Sequence, residues 1–249
     1  MKNRIRIIRN AIIAGLFTSL VSCNVLDVEL PSVISGNSFW KTEEDVKAAI
    51  QGMYTYLREV DEELFVLGES RAETSGLNAS GSSGGYDIYF NNTLTSATVG
   101  VSWKPFYSLI NSCNLIIKYA DGIDFSSQAD KNYYLAQAYV MRAYAYYVMA
   151  RSWGDLIIRT EPVEGTDPKV LYKERSSVED VFALIKSDID KSIELFADHP
   201  SSGAPASGRI YWNKPAANAL KGDVYLWTGK RLSGGRKGFY NSIECPKGG

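Results

Sequence analysis

The sequence predicts a mainly α-helical, packed globular protein. Its 249 residues are 45% hydrophobic and 22% charged, which argues against wholesale disorder and against a fibrous repeat. Five segments carry apolar residues at steps of three and four, the period of an amphipathic helix, and no strong strand pattern is present. The stretches between these segments are rich in Gly, Pro and Ser, so we expect long loops.

The first helix is predicted from about Thr42 to Val60. Thr42 can cap its start, and three acidic residues follow in the first turn, where the helix dipole favours negative charge. Its apolar face is formed by Val46, Ala49, Ile50, Met53, Tyr54 and Leu57. A flexible loop is predicted over residues 78–85, and a short extended piece is expected within residues 86–98.

Three more helices are predicted in the middle of the chain. One runs from about Trp103 to Ala120 and the next from about Ala129 to Trp153, where a glycine stops it. The fourth begins near Ser177 and has acidic residues in its first turn. Loops are predicted over residues 156–172 and around residues 199–208, since both stretches contain proline and glycine.

The fifth helix is predicted to start after Lys214, with Pro215 in the favoured first turn, and to end at Gly229. Gly222, Tyr225 and Gly229 have the spacing of the first helix of a tetratricopeptide repeat. The second helix of such a repeat should follow, but its small-residue positions are missing from the next residues. Without that partner, the apolar side of the fifth helix should be partly exposed or packed on whatever lies nearby.

Residues 231–249 form a tail that does not look native to this fold. It has no apolar period, and five of its 19 residues are glycine. A frameshift or premature stop near Lys230 would explain the abrupt change, and a natural short form with a disordered tail is the alternative. We therefore expect the helical domain to cover residues 41–230.

Residues 1–22 are predicted to be a lipoprotein signal peptide. They hold four basic and no acidic residues, and the uncharged apolar run 11–21 is too short for a spanning helix, which needs about 20 residues. Leu20, Val21 and Ser22 before Cys23 resemble the lipobox of bacterial lipoproteins, and an ordinary signal peptide with a chance cysteine is the alternative. Acyl chains on Cys23 would hold the protein on a membrane, and residues 23–40 would link them to the fold.

The remaining chemistry-bearing residues do not form a catalytic or metal-binding pattern. Cys113 is predicted to be a small buried hydrophobic residue, and a disulfide between Cys113 and Cys245 is the alternative. No cysteine or histidine cluster is present, so we expect no metal and no cofactor. The balance of 27 basic and 28 acidic residues argues against nucleic acid as a partner. His199 is predicted to be a solvated loop residue.

Paired carboxylates are equally unconvincing as catalysts. Glu62 and Glu63 are adjacent, and Asp188 and Asp190 are two residues apart. On a helix, side chains at these spacings point in different directions, so neither pair could act on one substrate as a glycosidase pair does. A solvated polar face is the better interpretation of both pairs.

Five short stretches, in order behind the lipidation motif, carry a family pattern. They are Cys23-x-x-Leu26-Asp27 with Pro31, Phe39-Trp40-x-Thr42-Glu43-Glu44-Asp45 with Ala49, Gly52 and Tyr54, Trp103-x-x-Phe106-Tyr107-x-x-Ile110-x-x-x-Asn114, Ala136-x-Ala138-x-x-x-Arg142-Ala143-x-x-Tyr146 running to Trp153-Gly154-Asp155, and Ala216-Ala217 through Gly222-x-x-Tyr225-Leu226-x-Thr228-Gly229. Together they resemble the SusD/RagB-like family of outer-membrane lipoproteins.

The resemblance implies an α superhelix of tetratricopeptide-like helix pairs. It also implies a place on the cell surface, where such proteins cap a TonB-dependent channel of the SusC type and pass it glycans or, in some cases, peptides. Members bind ligands without catalysis of their own. They are roughly twice as long as this chain, and their later half usually supplies much of the ligand surface.

Aromatic side chains are the most suggestive binding feature, because sugars present flat C–H faces to aromatic rings. The tyrosines of the third helix are predicted to be core residues. The better ligand candidates flank the Gly/Ser loop: Arg71, Glu73, Tyr86, Tyr89, Phe90 and Trp103. The first functional hypothesis is nutrient capture with a TonB-dependent partner, and the second is an envelope scaffold of the tetratricopeptide type that binds proteins without handling nutrient.

Overall fold

The computed structural model describes residues 39–72, 76, 86–95, 102–165, 167–197, 199 and 210–232. The described residues from Trp40 onward belong to one compact unit. Their α-helices are α1 (Glu43–Glu59), α2 (Asp61–Leu67), α3 (Asp87–Phe90), α4 (Trp103–Ala120), α5 (Gln128–Trp153), α6 (Pro168–Leu171), α7 (Val178–Leu195) and α8 (Lys214–Leu232). A 3-10 turn covers Glu69–Arg71, and the β-structure in this part of the chain is one bridge between Leu156 and Ser176.

The predicted mainly α-helical fold is confirmed, and each of the five predicted helices is present. Two details differ. The fifth helix does not end at Gly229 but continues to Leu232. The stretch expected to hold an extended piece instead contains the helix α3, and α2 and α6 were not predicted because four to seven residues are too few to show a helical period.

Serine and threonine caps explain where four of the helices begin. Thr42 and Asp45 form a capping box at α1, in which each side chain accepts a hydrogen bond from the other residue's backbone N–H. The hydroxyls of Ser102, Ser127 and Ser177 accept backbone N–H groups at the starts of α4, α5 and α7. Each cap of this kind contributes about 1 kcal/mol.

The long helices pack in a series that continues through the unit. α1 lies against α4, α4 against α5, α5 against α7, and α7 against α8. This is the arrangement of stacked tetratricopeptide-like helices, in which each element packs mainly on its neighbours. No helix among the described residues is both long and apolar enough to cross a membrane.

Helix α5 is the centre of this array and is buried on nearly every side. Its small residues let α4 and α7 approach closely, and its tyrosines fill the space between them. Its fully or nearly fully buried residues include Ala136, Ala138, Val140, Met141, Ala143, Ala145, Tyr146, Tyr147 and Met149. The prediction that the tyrosines of this helix belong to the core is confirmed for Tyr133, Tyr146 and Tyr147, whereas Tyr134, Tyr139 and Tyr144 are half-buried. Gly154 then ends the helix with φ 76, a left-handed value that favours glycine.

Two residues that were predicted to be solvated pack against other side chains instead. Asp188 is buried, because the face of α7 that carries it packs on α5, where it meets Arg142. His199 was expected in solvent, but its ring stacks on Tyr133 at 4.2 Å and its Nε2 lies 3.0 Å from Asp130 Oδ1. Cys113 is buried as predicted and is a free thiol.

Candidate functional site

A group of exposed and half-buried aromatic rings lies where α2 and α3 meet. This aromatic patch consists of Phe65, Tyr86, Tyr89 and Phe90. The Tyr86 ring is central, with centroids 6.0 Å from Phe65, 6.1 Å from Tyr89 and 6.5 Å from Phe90. Phe65 is 41% exposed, Tyr86 and Phe90 are half-buried, and Tyr89 is buried, so Tyr89 supports the patch from below while the other three rings are accessible at least in part.

Polar groups hold the edge of the aromatic patch. The Tyr86 hydroxyl donates a 3.0 Å hydrogen bond to Glu62 Oε1, and this bond to the carboxylate raises the pKa of Tyr86. Arg71 Nε donates to Asn92 Oδ1 at 3.0 Å. Asn92 has φ 52, in the left-handed region that asparagine tolerates better than most residues. An amide, a guanidinium and a carboxylate therefore lie beside the rings.

The local chain path that builds the patch depends on breaks at two residues. Val60 ends α1 and begins α2, which turns the second helix away from the first. Gly68 ends α2, and a Cβ there would lie 2.9 Å from the Leu64 carbonyl oxygen, so only glycine fits without a shift. The 3-10 turn that follows carries Arg71 to Asn92.

The structure brings together four of the ligand residues predicted from the sequence, namely Arg71, Tyr86, Tyr89 and Phe90. Trp103 belongs to a different cluster, in which its ring contacts Tyr107 and Trp153, each with centroids 6.0 Å away. Its outer face carries the Arg175 guanidinium, 4.8 Å from the ring centroid. Glu73 and Cys23, the residue predicted to be lipidated, lie outside the described residues.

Sequence reasoning missed three members of this site: Glu62, Phe65 and Asn92. Glu62 was considered only as half of a carboxylate pair. Phe65 lies on the short helix that was not predicted. The signal that could have revealed it is the run Asp61-Glu-Glu63 ahead of Leu64-Phe65-Val66, an acidic first turn followed by apolar residues.

A second structured region is the extended segment 156–163. Side chains of α4 and α5, and not a neighbouring strand, form the hydrogen bonds to its backbone described below. The Tyr107 hydroxyl donates to Ile157 O at 2.8 Å and accepts from Ile157 N at 3.0 Å. The Arg159 N–H donates to the Tyr146 hydroxyl at 2.7 Å. Burial raises the pKa of Tyr107 to about 12, so its hydroxyl stays protonated and available as a donor.

Two asparagines on the same face of α4 continue this pairing. Asn114 Nδ2 donates to the carbonyl oxygens of Arg159 and Glu161 at 3.1 and 3.3 Å. Asn111 Oδ1 accepts from Val163 N at 2.6 Å, and its Nδ2 donates to Val163 O at 3.3 Å. Side chains four and three residues apart on α4 thus satisfy alternate residues of the segment and fix its position.

A buried ion pair anchors the network from behind. Arg142 Nε donates a 2.7 Å hydrogen bond to Asp188 Oδ2, and Arg142 Nη2 donates one of the same length to Asp188 Oδ1. Arg142 Nη1 donates to Asn114 Oδ1 at 2.8 Å. Burial raises the pKa of Asp188, and the bonds from the guanidinium oppose that rise. Asp188 in turn raises the pKa of Arg142 against the lowering effect of burial.

Neither region contains the parts of a reaction centre in what the structure describes. There, no three His, Cys, Asp or Glu side chains come together as metal ligands. Burial raises the pKa of the Cys113 thiol, so a reactive thiolate is disfavoured. What the fold and the aromatic patch define is a helical-repeat protein that carries a cluster of aromatic rings next to hydrogen-bonding groups.

Comparison with known proteins identifies the family. Residues 26–226 match the sequence profile of the SusD-like family described as "Starch-binding associating with outer membrane". The chain belongs to this SusD-like family. A SusD-like protein of Formosa agariphila is 36% identical over 177 residues, which are 70% of this chain and 34% of that protein.

Solved structures agree with the sequence match. Bacteroides fragilis NanU superposes with a TM-score of 0.72 at 32% identity, covering 86% of this chain and 42% of NanU. A SusD superfamily protein of Bacteroides vulgatus gives 0.71 at 32% identity, covering 82% of this chain and 41% of that one. The chain thus spans about two fifths of the solved relatives' length.

Proposed function

We propose that this protein is a lipid-anchored, cell-surface glycan-binding protein that works with a TonB-dependent β-barrel transporter of the SusC type. Family membership supports the ligand class and the association with the outer membrane. The observation that carries the proposal is the aromatic patch, where exposed Phe65 and half-buried Tyr86 contact each other near the Arg71–Asn92 pair. Rings of this kind stack on sugar C–H faces, and the polar pair beside them can bind hydroxyl groups.

Binding of neutral oligosaccharides by isothermal titration calorimetry tests this proposal. Tyr86→Ala and Phe65→Ala should each weaken binding about tenfold, since a lost aromatic contact of about 1.4 kcal/mol is a factor of ten in Kd. Tyr172→Ala is the matched control, because Tyr172 is 84% exposed and lies outside the patch. Equal effects of Tyr86→Ala and Tyr172→Ala would show that the patch is not the site.

The protein should bind glycans without cleaving them. Purified protein incubated with the same oligosaccharides should release no reducing ends over many hours. Release that disappears when a single carboxylate such as Glu62 is replaced by glutamine would contradict a pure binding role.

The membrane anchor is proposed to be Cys23. Cys23→Ala should move the protein from the membrane fraction to the soluble fraction, because the acyl chains supply the attachment. Sedimentation of the variant with outer membranes after a high-salt wash would exclude lipidation as the anchor.

A protein-binding scaffold is the second candidate function, and one observation favours it. Leu226 and Trp227 on α8 are 42% and 37% exposed, which is unusual for large apolar side chains next to each other on one helix. Affinity purification from detergent-solubilised outer membranes separates the two functions. Recovery of a large β-barrel together with glycan binding supports nutrient capture, whereas recovery of other envelope proteins without glycan binding supports the scaffold.

A further inference from the structure

A cleft between α4 and the extended segment 156–163 is separate from the aromatic patch. Its volume is about 320 Å³, which lies within the range of roughly 300–1,000 Å³ for small-molecule sites. The described residues that line it are Lys104, Tyr107, Ser108, Ile110, Asn111, Asn114, Arg159, Val163 and Leu171. None of these belongs to the patch, so the cleft is a separate surface feature of the same unit.

The walls of the cleft are held in place before any ligand arrives. Tyr107, Asn111 and Asn114 have their polar atoms bonded to the backbone of segment 156–163. The Arg159 guanidinium donates to the carbonyl oxygens of Val170 and Leu171, which fixes α6 at the edge. Preorganised walls of this kind lower the ordering cost of binding.

The charge of the cleft is one-sided. Lys104 and Arg159 both line it, and no carboxylate does so among the described residues. Arg159 is bonded to neutral carbonyl groups, which leaves its positive charge uncompensated. Lys104 forms no ion pair within the described part of the chain, and the Ser108 hydroxyl, one turn further along α4, lacks a hydrogen-bond partner there. Lys104 and Ser108 are thus available to a negatively charged ligand that also carries hydroxyls, and Arg159 adds its positive charge nearby.

We propose that this cleft binds an acidic sugar unit, with its carboxylate at Lys104 in the field of Arg159 and a hydroxyl at Ser108. The proposal rests on the proposed glycan-binding function for its ligand class, and it adds a second subsite with a charge preference. An ammonium group bound to a carboxylate forms a charge-assisted hydrogen bond, which is stronger than a neutral one. Because Lys104 is exposed, the preference should weaken as salt screens the charges.

The test compares digalacturonate with its neutral methyl ester on the full chain by calorimetry at low ionic strength. The acid should bind at least about fivefold more tightly, in line with roughly 1 kcal/mol for one charge-assisted contact. Lys104→Glu should abolish this difference between acid and ester. Lys41→Glu is the matched control, since it makes the same charge change at an exposed lysine remote in sequence from the cleft and should leave the difference intact.

Three results would overturn the inference: equal binding of acid and ester, no binding of the acid, or the same loss in Lys41→Glu as in Lys104→Glu. A neutral oligosaccharide and Tyr86→Ala keep the two proposals distinguishable. If neutral glycans bind through Tyr86 while the acid gains nothing from Lys104, the cleft inference fails and the proposed function stands. If no glycan binds the wild-type protein, both fail.

Discussion

Breaking the buried ion pair between Arg142 and Asp188 should be among the most destabilising single changes in the protein. The two side chains are only 5% and 4% exposed, and both guanidinium contacts to the carboxylate are 2.7 Å long. In Asp188→Asn the shape is kept, but the guanidinium loses its countercharge. An unpaired charge then remains in an environment that water does not reach.

The expected cost is about 3–5 kcal/mol of unfolding free energy, the usual range when one partner of a buried pair is removed. For a domain of this size each kcal/mol corresponds to about 2–4 °C, so the melting temperature should fall by roughly 6–20 °C. The surface pair Lys221–Asp190, with a 3.0 Å contact between α8 and α7, is the control. Lys221→Met should cost less than about 1 kcal/mol.

Thermal and urea unfolding followed by circular dichroism at 222 nm measures these values. The double variant Arg142→Met/Asp188→Leu should recover most of the loss, because it leaves neither charge unpaired. Single-variant costs below about 1 kcal/mol, or a double variant as unstable as the sum of the singles, would refute the reasoning.

Amide hydrogen exchange gives a second, local measurement. Arg142 also holds Asn114, and Asn114 bonds the backbone of segment 156–163. In Arg142→Met the amide of Arg159 should therefore exchange faster relative to the rest of the unit. Unchanged protection there would show that the ion pair and the segment are not coupled.

Three further experiments have clear expected outcomes. Gly68→Ala should lower the unfolding free energy by at least about 1 kcal/mol, because its Cβ would lie 2.9 Å from a carbonyl oxygen. Gly52 lies within α1 with open space around it, so Gly52→Ala should raise the unfolding free energy by about 0.5–1 kcal/mol. Urea unfolding measures both changes. Cys113 should not react with Ellman's reagent until the protein unfolds, since burial raises its pKa. Hydrogen bonds, led by that from Ser127, lower the pKa of Asp130 below its ordinary 3.8. Its stabilising effect is therefore present above that pH and lost as the pH falls, and Asp130→Asn should flatten the acid side of a melting-temperature profile.

The long helices could be predicted from the sequence because their signals are local. Thr42 with Asp45 marks the start of α1, and Ser177 marks that of α7, through hydrogen bonds within one turn. The short helix carrying Phe65 has no side-chain cap at its start and only an acidic first turn to mark it, so Phe65 was missed from the aromatic patch. Arg71 and Tyr86 were correctly brought together only because both flank one loop.

Asp188 shows why a local pattern can mislead. Its spacing from Asp190 suggested two solvated carboxylates, yet it lies three residues after Ile185 and four before Ser192, both of which are buried. The apolar stripe of α7 therefore runs through Asp188. What the sequence cannot show is that Arg142, 46 residues earlier, supplies the charge that makes its burial tolerable.

The residues that carry the family resemblance have mostly structural roles in this protein. Tyr107, Asn114, Arg142 and Tyr146 all belong to the quoted stretches, and all converge on segment 156–163, directly or through one another. They define the helical scaffold and the inner wall of the cleft, but their polar atoms are committed to the chain itself. In the two binding proposals, ligand preference comes from side chains outside this network, Tyr86 in the patch and Lys104 in the cleft. Two proteins can thus share these stretches and the fold while binding different glycans.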